Sequence, residues 1–414
     1  MEIIADLQIH GRYSRATSKD LSIDILEKWA KIKGVGILGC GDFSHPLWLK
    51  EIQQKLSEDA QGILWSKNGF PFIWQTEISL MYTQGGRGRR VHHLIYAPNQ
   101  EVALSIKDAL ARKGRIDYDG RPIFGFSSIE LVDMMRAISS DIEIVPAHVW
   151  TPWFGAFGSK SGFDSLSECF GDRVKSIHAI ETGLSSDPQM NWTISGLDNY
   201  TLMSSSDAHS YWPWRLGREA NLFDLKKLTY KNILNAIREK DGFVSTIEVD
   251  PNYGMYHFDG HRNCNISMHP EESRKLNNIC PVCKKPFTVG VLSRVLELSD
   301  RELGFKPKGA LPFIKLLPLS ELIGAIYGIN SLYSSKSMVV YNKMIEKYGS
   351  EYNILLKVSL DEIKKDFGQK ISDVIGKNRQ EKLHVIPGYD GVYGKLLLEE
   401  EDISGKQKSL GDFS

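Results

Sequence analysis

The sequence contains no run of about 18 apolar residues, so no membrane-crossing helix is expected. Its opening, MEIIADLQIHGRYSR, has no basic region followed by an apolar stretch, so no secretory signal is expected there. Cysteine is scarce. Five cysteines in 414 residues, an odd number, argue against a disulfide framework and for a reducing compartment, the cytoplasm. Neither sign of charge is in excess, since 51 Lys and Arg balance 51 Asp and Glu. The whole chain is no polycation, and any nucleic-acid binding must rest on local basic surface. There is no clear repeat and no long low-complexity tract. The length is enough for two or three domains with a substantial core.

Residues 1–245 alternate between short apolar runs and amphipathic stretches. The runs predict strands at 2–9, 35–39, 72–79, 91–96, 142–147, 177–181 and 201–205. Helices are predicted at 22–33, 46–57, 101–113, 127–137 and 229–239. This rhythm predicts an α/β domain with a largely parallel sheet, in the manner of a barrel. A Gly/Pro/Tyr-rich piece at 251–261 breaks the rhythm, and a cysteine-bearing segment follows to about 290. Beyond it, helices are predicted at 291–303, 318–328, 336–348 and 358–375, and the last dozen residues read as a disordered tail.

The strands of the first region carry an unusual set of polar residues. They are Asp6, Gln8 and His10; then Asp42 and His45; then Glu77; then His92 and His93; then His148; then Glu181 and Asp187; and finally Asp207 and His209. In a strand, residues i and i+2 share a face. Asp207 and His209 therefore aim a carboxylate and an imidazole at one point. One such residue means little, but seven strands each delivering one toward their C-terminal ends indicates a metal cluster. Mixed imidazole and carboxylate donors suit Zn²⁺, Mn²⁺ or Fe²⁺ rather than Ca²⁺. The donors are too many for one ion. Ions about 3.5–4 Å apart are a device of phosphoester hydrolysis.

The segments DLQIH, GCGDFSH, TEIS, VHHLIYAP, VPAH and SSDAHS resemble the PHP (polymerase and histidinol phosphatase) superfamily over residues 1–245. The resemblance implies a distorted (β/α)7 barrel with a trinuclear site. It implies His10, Asp42, Glu77, His92, His148, Asp207 and His209 as ligands. The usual first motif is Asp-Leu-His-x-His, and Gln8 stands here at the first histidine. His45 competes with Asp42, and His92 is favoured over His93 because neighbours on a strand face opposite ways. Trp212, Trp214, Arg215 and Arg218 follow the last motif; arginine forks suit phosphate and indole faces suit bases.

The segment His261-Arg-Asn-Cys264 with Cys280-Pro-Val-Cys283 has the paired spacing of a structural zinc site. His257 and His269 compete with His261 for the fourth position, for which the spacing favours His261. Cys40 and Cys169 read as buried thiols. The helical region carries Arg294, Arg301, Lys306, Lys308, Lys315, Lys336, Lys377, Arg379 and Lys382, and ends in a loop rich in glycine and tyrosine at 386–394 that includes Tyr389.

A PHP-like region, then DGHRNC and CPVC, then a helical region ending in PGYDGVYG, resembles the endonuclease Q family along nearly the whole chain. YSRA at 13–16, ETGLSSDPQMNW at 181–192 and LGREAN at 216–221 fit as well. The resemblance implies a DNA repair endonuclease. It would cut the phosphodiester 5′ of deaminated bases (uracil, hypoxanthine, xanthine) or abasic sites by a multi-metal mechanism. The implied organisation is a PHP phosphoesterase domain over 1–246, a zinc-binding module over 247–290 and a helical DNA-binding domain over 291–414. Asp207, His209, Asp187 and Glu181 are then the catalytic candidates, and Gln8 joins the metal set. Arg12, Arg15, Arg218, Trp192 and Tyr389 are the candidates for substrate binding. The cofactors expected are Zn²⁺, structural and in the barrel, with Mg²⁺ or Mn²⁺ for activity. The expected partner is lesion-bearing duplex DNA, with a replication or repair clamp as a further partner, no membrane, and a place at the nucleoid. Competing readings are a phosphatase for small phosphate esters and a non-catalytic lesion-binding protein.

Overall fold

The alternating runs fold, for the most part, where the sequence places them. The computed structural model describes residues 1–329 and 334–398; the expected disordered tail lies outside them. Helix Ile23–Lys33 starts at Ser22, whose side chain accepts from the Ile25 N–H, and ends on Gly34 at φ 91°. Helix Ser128–Ile138 opens with a reciprocal pair between Ser127 and Glu130. The helix predicted at 358–375 is instead two, Leu360–Phe367 and Gln369–Arg379, broken at Gly368 with φ 91°. Helix Glu351–Leu356 and strands Ala220–Asp224, Phe243–Glu248 and Phe313–Lys315 are additional to the predicted set.

The fold is mixed α/β, around an eleven-stranded sheet. The sheet is less parallel than expected. Strand Glu2–Asp6 pairs parallel with Ile37–Gly39, which pairs parallel with Pro71–Gln84. Strand Arg87–Ala97 then runs antiparallel to both Pro71–Gln84 and Glu143–Pro146. The cause is a two-residue turn, Gly85-Gly86, with φ 61° and 73°. Only glycine takes both angles freely, and such turns make tight hairpins. Strands Ala179–Glu181 and Thr201–Met203 form a separate parallel pair. They are tied to the sheet by Val149 N–H donating to Glu181 O at 3.0 Å and by an Ile9–Ala208 bridge. Ala5, Leu7, Ile73, Leu94, Val145, Ala179 and Met203 fill one buried cluster between these strands.

Strand Phe243–Glu248 runs through the expected boundary at 246, and Phe313–Lys315 pairs with it in parallel. Glu248 is fully buried at its end. It accepts from the Thr182 and Ser204 hydroxyls at 3.1 and 3.0 Å and from Thr246 at 2.6 Å. Burial pushes its carboxyl up to about 8 from an ordinary 4.5. The folded protein therefore holds a proton that the unfolded chain has released. The stability from that proton is complete below pH 4.5 and is lost as pH rises toward 8. Unfolding free energy is expected to fall across that window by about 1.4 kcal/mol per pH unit for this group, and melting temperature with it. Glu248→Gln should flatten the curve; parallel curves for the two proteins would refute the assignment.

Candidate metal centre

Ten of the predicted polar residues, Gln8, His10, Asp42, Glu77, His92, His148, Glu181, Asp207, His209 and Arg218, converge around the centre described here. Two sets of three form within it. His10, Asp207 and His209 place donor atoms within 4.8 Å of one another, and so do Glu77, His92 and His148. Glu77 joins the sets. Its Oε1 lies 2.7 Å from His92 Nδ1 and 3.7 Å from His148 Nε2, and its Oε2 lies 3.1 Å from His10 Nε2. Asp207 Oδ1 is 3.0 Å from His10 Nε2. The hairpin places His92 at the middle of its strand, not near the C-terminal end as expected, and still opposite Ser79 on the face of Glu77.

The backbone is strained where it presents these groups. Asp42, His148 and Asp207 have φ of 31°, 30° and 48°. Such angles are costly for non-glycine residues and persist only where the surroundings enforce them. Asp6 enforces the conformation at Asp207: its carboxylate accepts the Ser206 N–H at 3.0 Å and the Gly217 N–H at 2.8 Å. At His148, the Glu181 Oε2 accepts the backbone N–H at 2.9 Å. A Cβ on Gly183 would meet the His148 Cβ at 2.6 Å, so only glycine fits there.

Electrostatics keep most of the donors available. His10 is the exception: burial lowers it, but Asp42, Asp207 and Glu77 outweigh burial and hold it well above its ordinary value, so a cation must displace its proton. Burial pushes His92 down to about 3, which leaves its ring neutral. Burial and His10 likewise lower His209. Burial opposes charge on Glu77, but Arg121 and His92 hold it well below the usual carboxylate range. Burial also opposes charge on Asp207, and His209 and His10 outweigh it. Neutral imidazoles and ionised carboxylates are the forms that bind divalent cations. The residues present therefore fit two ions, each set of three leaving a coordination position open.

Several predicted residues have other tasks. Asp42 contacts His10 on the far ring nitrogen, Nδ1, at 3.1 Å, and also accepts from Gly11 N–H at 2.6 Å and Ser14 Oγ at 2.5 Å. It orients His10 rather than facing the two sets. His45 lies outside, 3.3 Å from Asp117 O and stacked on Tyr13. His93 points to the opposite face, 2.8 Å from Ser128 Oγ. Gln8 is inside: its Nε2 donates to Glu77 Oε2 at 2.8 Å, while its Oε1 is buried without a hydrogen-bond partner. Asp187 caps the short helix Pro188–Asn191 and pairs with Lys315 at 3.4 Å, away from both sets.

The second cluster is the one the spacing predicted. His261, Cys264, Cys280 and Cys283 hold their donor atoms within 4.8 Å. The hairpin of Asp259–His261 and Ile266–Met268 presents the first two. His257 is buried elsewhere, and His269 accepts from Glu271 N–H as a helix cap. Cys40 and Cys169 are buried thiols, and burial pushes Cys169 up to about 12.

Comparison with known proteins gives matches along the whole chain. The structure superposes on the lesion-specific endonuclease PfuEndoQ of Pyrococcus furiosus with a TM-score of 0.86 and 30% identity, over 100% of this chain and 98% of that one. It superposes on endonuclease Q in complex with a 27-mer duplex substrate bearing an abasic lesion at the active site with a TM-score of 0.87 and 31% identity, over 99% and 100%. The chain belongs to the endonuclease Q family. Residues 318–382 match the family model of the MJ0043 C-terminal domain. An uncharacterized protein of Methanocaldococcus jannaschii is 33% identical over 259 residues, 61% of this chain, and this chain spans 32% of its length. The uncharacterized protein YqxK of Bacillus subtilis is 27% identical over 415 residues, 95% of this chain and 99% of that protein.

Beside the two donor sets of this endonuclease Q family member lies a cavity of about 300 Å³. His92, His148, Glu181 and Asp207 form its floor, and Trp153, Phe154, Tyr256, Tyr393 and Arg218 form its walls. Arg218 was expected here, and its Nε donates to Ser206 O at 3.1 Å. The tyrosine of the 386–394 loop that reaches the cavity is Tyr393, not Tyr389. Arg215 donates to the Tyr393 hydroxyl at 3.1 Å, while Tyr389 bonds Asn265 at 2.8 Å. Trp192 is buried against Phe313, away from the cavity. Trp212 and Trp214 stack on each other. Arg12 is paired with Glu51 at 2.8 Å, and Arg15 is exposed beside Asp119 at 3.3 Å. Several basic residues of the helical region are structural: Arg294 is buried on the Phe157 and Phe163 carbonyls, and Arg379 donates to the Leu355 carbonyl at 2.8 Å. Arg121 was missed. It lies in a loop with no periodicity, yet its Nη1 reaches Glu77 Oε1 at 3.3 Å. No helix among the described residues is long and apolar enough to cross a membrane.

Proposed function

We propose that the protein is a metal-dependent DNA endonuclease that cuts the phosphodiester 5′ of a deaminated base or an abasic site. The observation that carries this reading is the pairing of two three-donor sets with an aromatic-walled cavity, in a chain superposable throughout on an endonuclease Q holding abasic duplex DNA. His10, Asp207 and His209 would hold one ion, and Glu77, His92 and His148 another. Divalent ions at such a site supply Lewis-acid stabilisation and a water of lowered pKa for phosphodiester hydrolysis. Zn²⁺, Mn²⁺ or Mg²⁺ suits these donors. Asp42 orients His10, Asp6 fixes the loop of Asp207, and Arg121 and Arg218 offer positive charge to phosphate. Trp153, Tyr256 and Tyr393 offer faces to a nucleotide taken out of the stack.

The two links between the parallel pair and the sheet support reading the strands as the distorted (β/α)7 PHP barrel. We read 1–246 as that domain, 247–290 as a zinc module held by His261, Cys264, Cys280 and Cys283, and 291–414 as a helical DNA-binding part.

End-labelled duplexes carrying one uracil, hypoxanthine or abasic site, with an undamaged control, test the reading. With Mg²⁺ or Mn²⁺, a single cut 5′ of a lesion is expected, lost by at least about 10³ in Asp207→Ala. Turnover of a simple phosphate ester with no cut on any duplex would make the protein a phosphatase. Tight lesion binding without cleavage would make it a binding protein.

A further inference from the structure

The hairpin that delivers Glu77 and His92 continues past them. Opposite residues of an antiparallel pair share a face, and so do residues two apart. Glu77, Ser79, Met81 and Thr83 therefore lie on one face of the ribbon with His92, Arg90 and Gly88. Arg90 stands about 7 Å along the strand from His92. Beyond Leu80 and Val91 no third strand pairs with the ribbon among the described residues. An isolated two-stranded hairpin is marginal by itself. Here its other face is pinned: Tyr82 reaches Ser128 Oγ at 3.0 Å, Gln84 donates to Glu168 O at 2.5 Å, and Arg89 bonds the Gly162 carbonyl and lies 4.1 Å over Phe163. The unpinned face is exposed, Met81 by 36%. Arg90 on that face is exposed, as is Arg87 at the tip, on the face of Gln84 and Arg89, and among the described residues neither makes an ion pair.

We propose that the ribbon 81–90 is an arm that follows duplex DNA away from the cut site, with Arg87 and Arg90 each taking a backbone phosphate. This rests on the endonuclease reading above. A two-stranded ribbon fits the major groove of a duplex, and arginine forks match phosphate oxygens. Phosphate contacts fix register without reading sequence. The pinned face makes the arm rigid, so its contacts lie at a fixed distance from the cut site.

The test uses the full chain with Arg87→Ala and Arg90→Ala together. Both side chains are exposed, and the melting temperature should not move. The control is Lys226→Ala with Lys227→Ala, which removes the same charge at the opposite end of the sheet, where Asp224 pairs with Glu2. Anisotropy of a labelled undamaged duplex gives the affinity between about 50 and 200 mM salt. The slope of log affinity against log salt should shrink by about 2 in the arginine variant and stay unchanged in the lysine control. Single-turnover nicking of an abasic duplex at saturating protein should stay within about twofold of wild type, since neither arginine touches the reacting atoms. An unchanged slope in the arginine variant, or an equal loss in the control, overturns the arm alone. Wild-type protein that neither binds nor cuts any duplex overturns the arm and the endonuclease reading together.

Discussion

Glu77→Gln is expected to reduce the rate of lesion-directed cleavage by about 10³-fold or more, roughly 4 kcal/mol of transition-state stabilisation. Glu77 belongs to one donor set and reaches the other, through different oxygens. An amide keeps the shape and loses the charge. Its nitrogen cannot bind a cation, so one set must forfeit a donor whichever way the amide turns. The same change leaves Arg121 without its buried carboxylate partner. Metal content gives a readout separate from activity. Elemental analysis of the purified variant should show fewer divalent ions per chain, with the ion of the cysteine cluster retained, because that cluster shares no residue with Glu77. A variant that cleaves at the wild-type rate with full metal content would remove Glu77 from the centre.

Much of this centre was legible in the sequence, and for a definite reason. His10, Glu77, His92, His148, Asp207 and His209 each follow or sit within an apolar run, and a strand of known polarity tells where its side chains go. The choice of His92 over His93 needed only the alternation of a strand. The cysteine cluster was legible because four donors at short fixed spacing leave few alternatives. What stayed hidden depended on chain reversal and on loops. The Gly85-Gly86 turn reverses one strand, and the predicted sheet is too parallel because apolar alternation alone carries no sign of that reversal. Arg121, Trp153 and Tyr256 come from loops without periodicity, so their meeting at the centre is a tertiary fact. Asp187 and Arg12 show the reverse situation, since each lies near a motif and is engaged by the protein itself. A charged residue near a motif is as easily consumed by a helix cap or a neighbouring glutamate as by substrate.

Glu351→Ala is expected to destabilise the protein by about 3–5 kcal/mol, and Lys33→Met with Glu351→Leu to recover the part of that loss due to the unpaired charge. Lys33 closes the first helix of the sheet-bearing region, and Glu351 opens a helix of the C-terminal region. Their side chains meet at 2.6 Å with 2% and 0% exposure. Each is otherwise satisfied: Lys33 donates to Pro213 O at 2.7 Å, and Glu351 accepts from Leu319 N–H at 2.9 Å and the Tyr341 hydroxyl at 2.8 Å. Burial lowers the Lys33 pKa, while Glu351 works in the other direction. Removing one partner leaves the other charge buried and unpaired, which costs far more than the pair contributes. Replacing both by apolar groups removes the desolvation penalty as well. Beside the pair, Tyr352 donates to Gly217 O at 2.5 Å, in the loop whose Gly217 N–H is held by Asp6. The interface is thus continuous with the segment that presents Asp207, and the single variant should lose cleavage as well as stability. Urea unfolding monitored by two probes, with nicking of an abasic duplex alongside, tests both statements. A double variant no more stable than the single would show that packing, not the unpaired charge, sets the loss; a single variant with unchanged cleavage would show that the helical region does not brace the loop of Asp207.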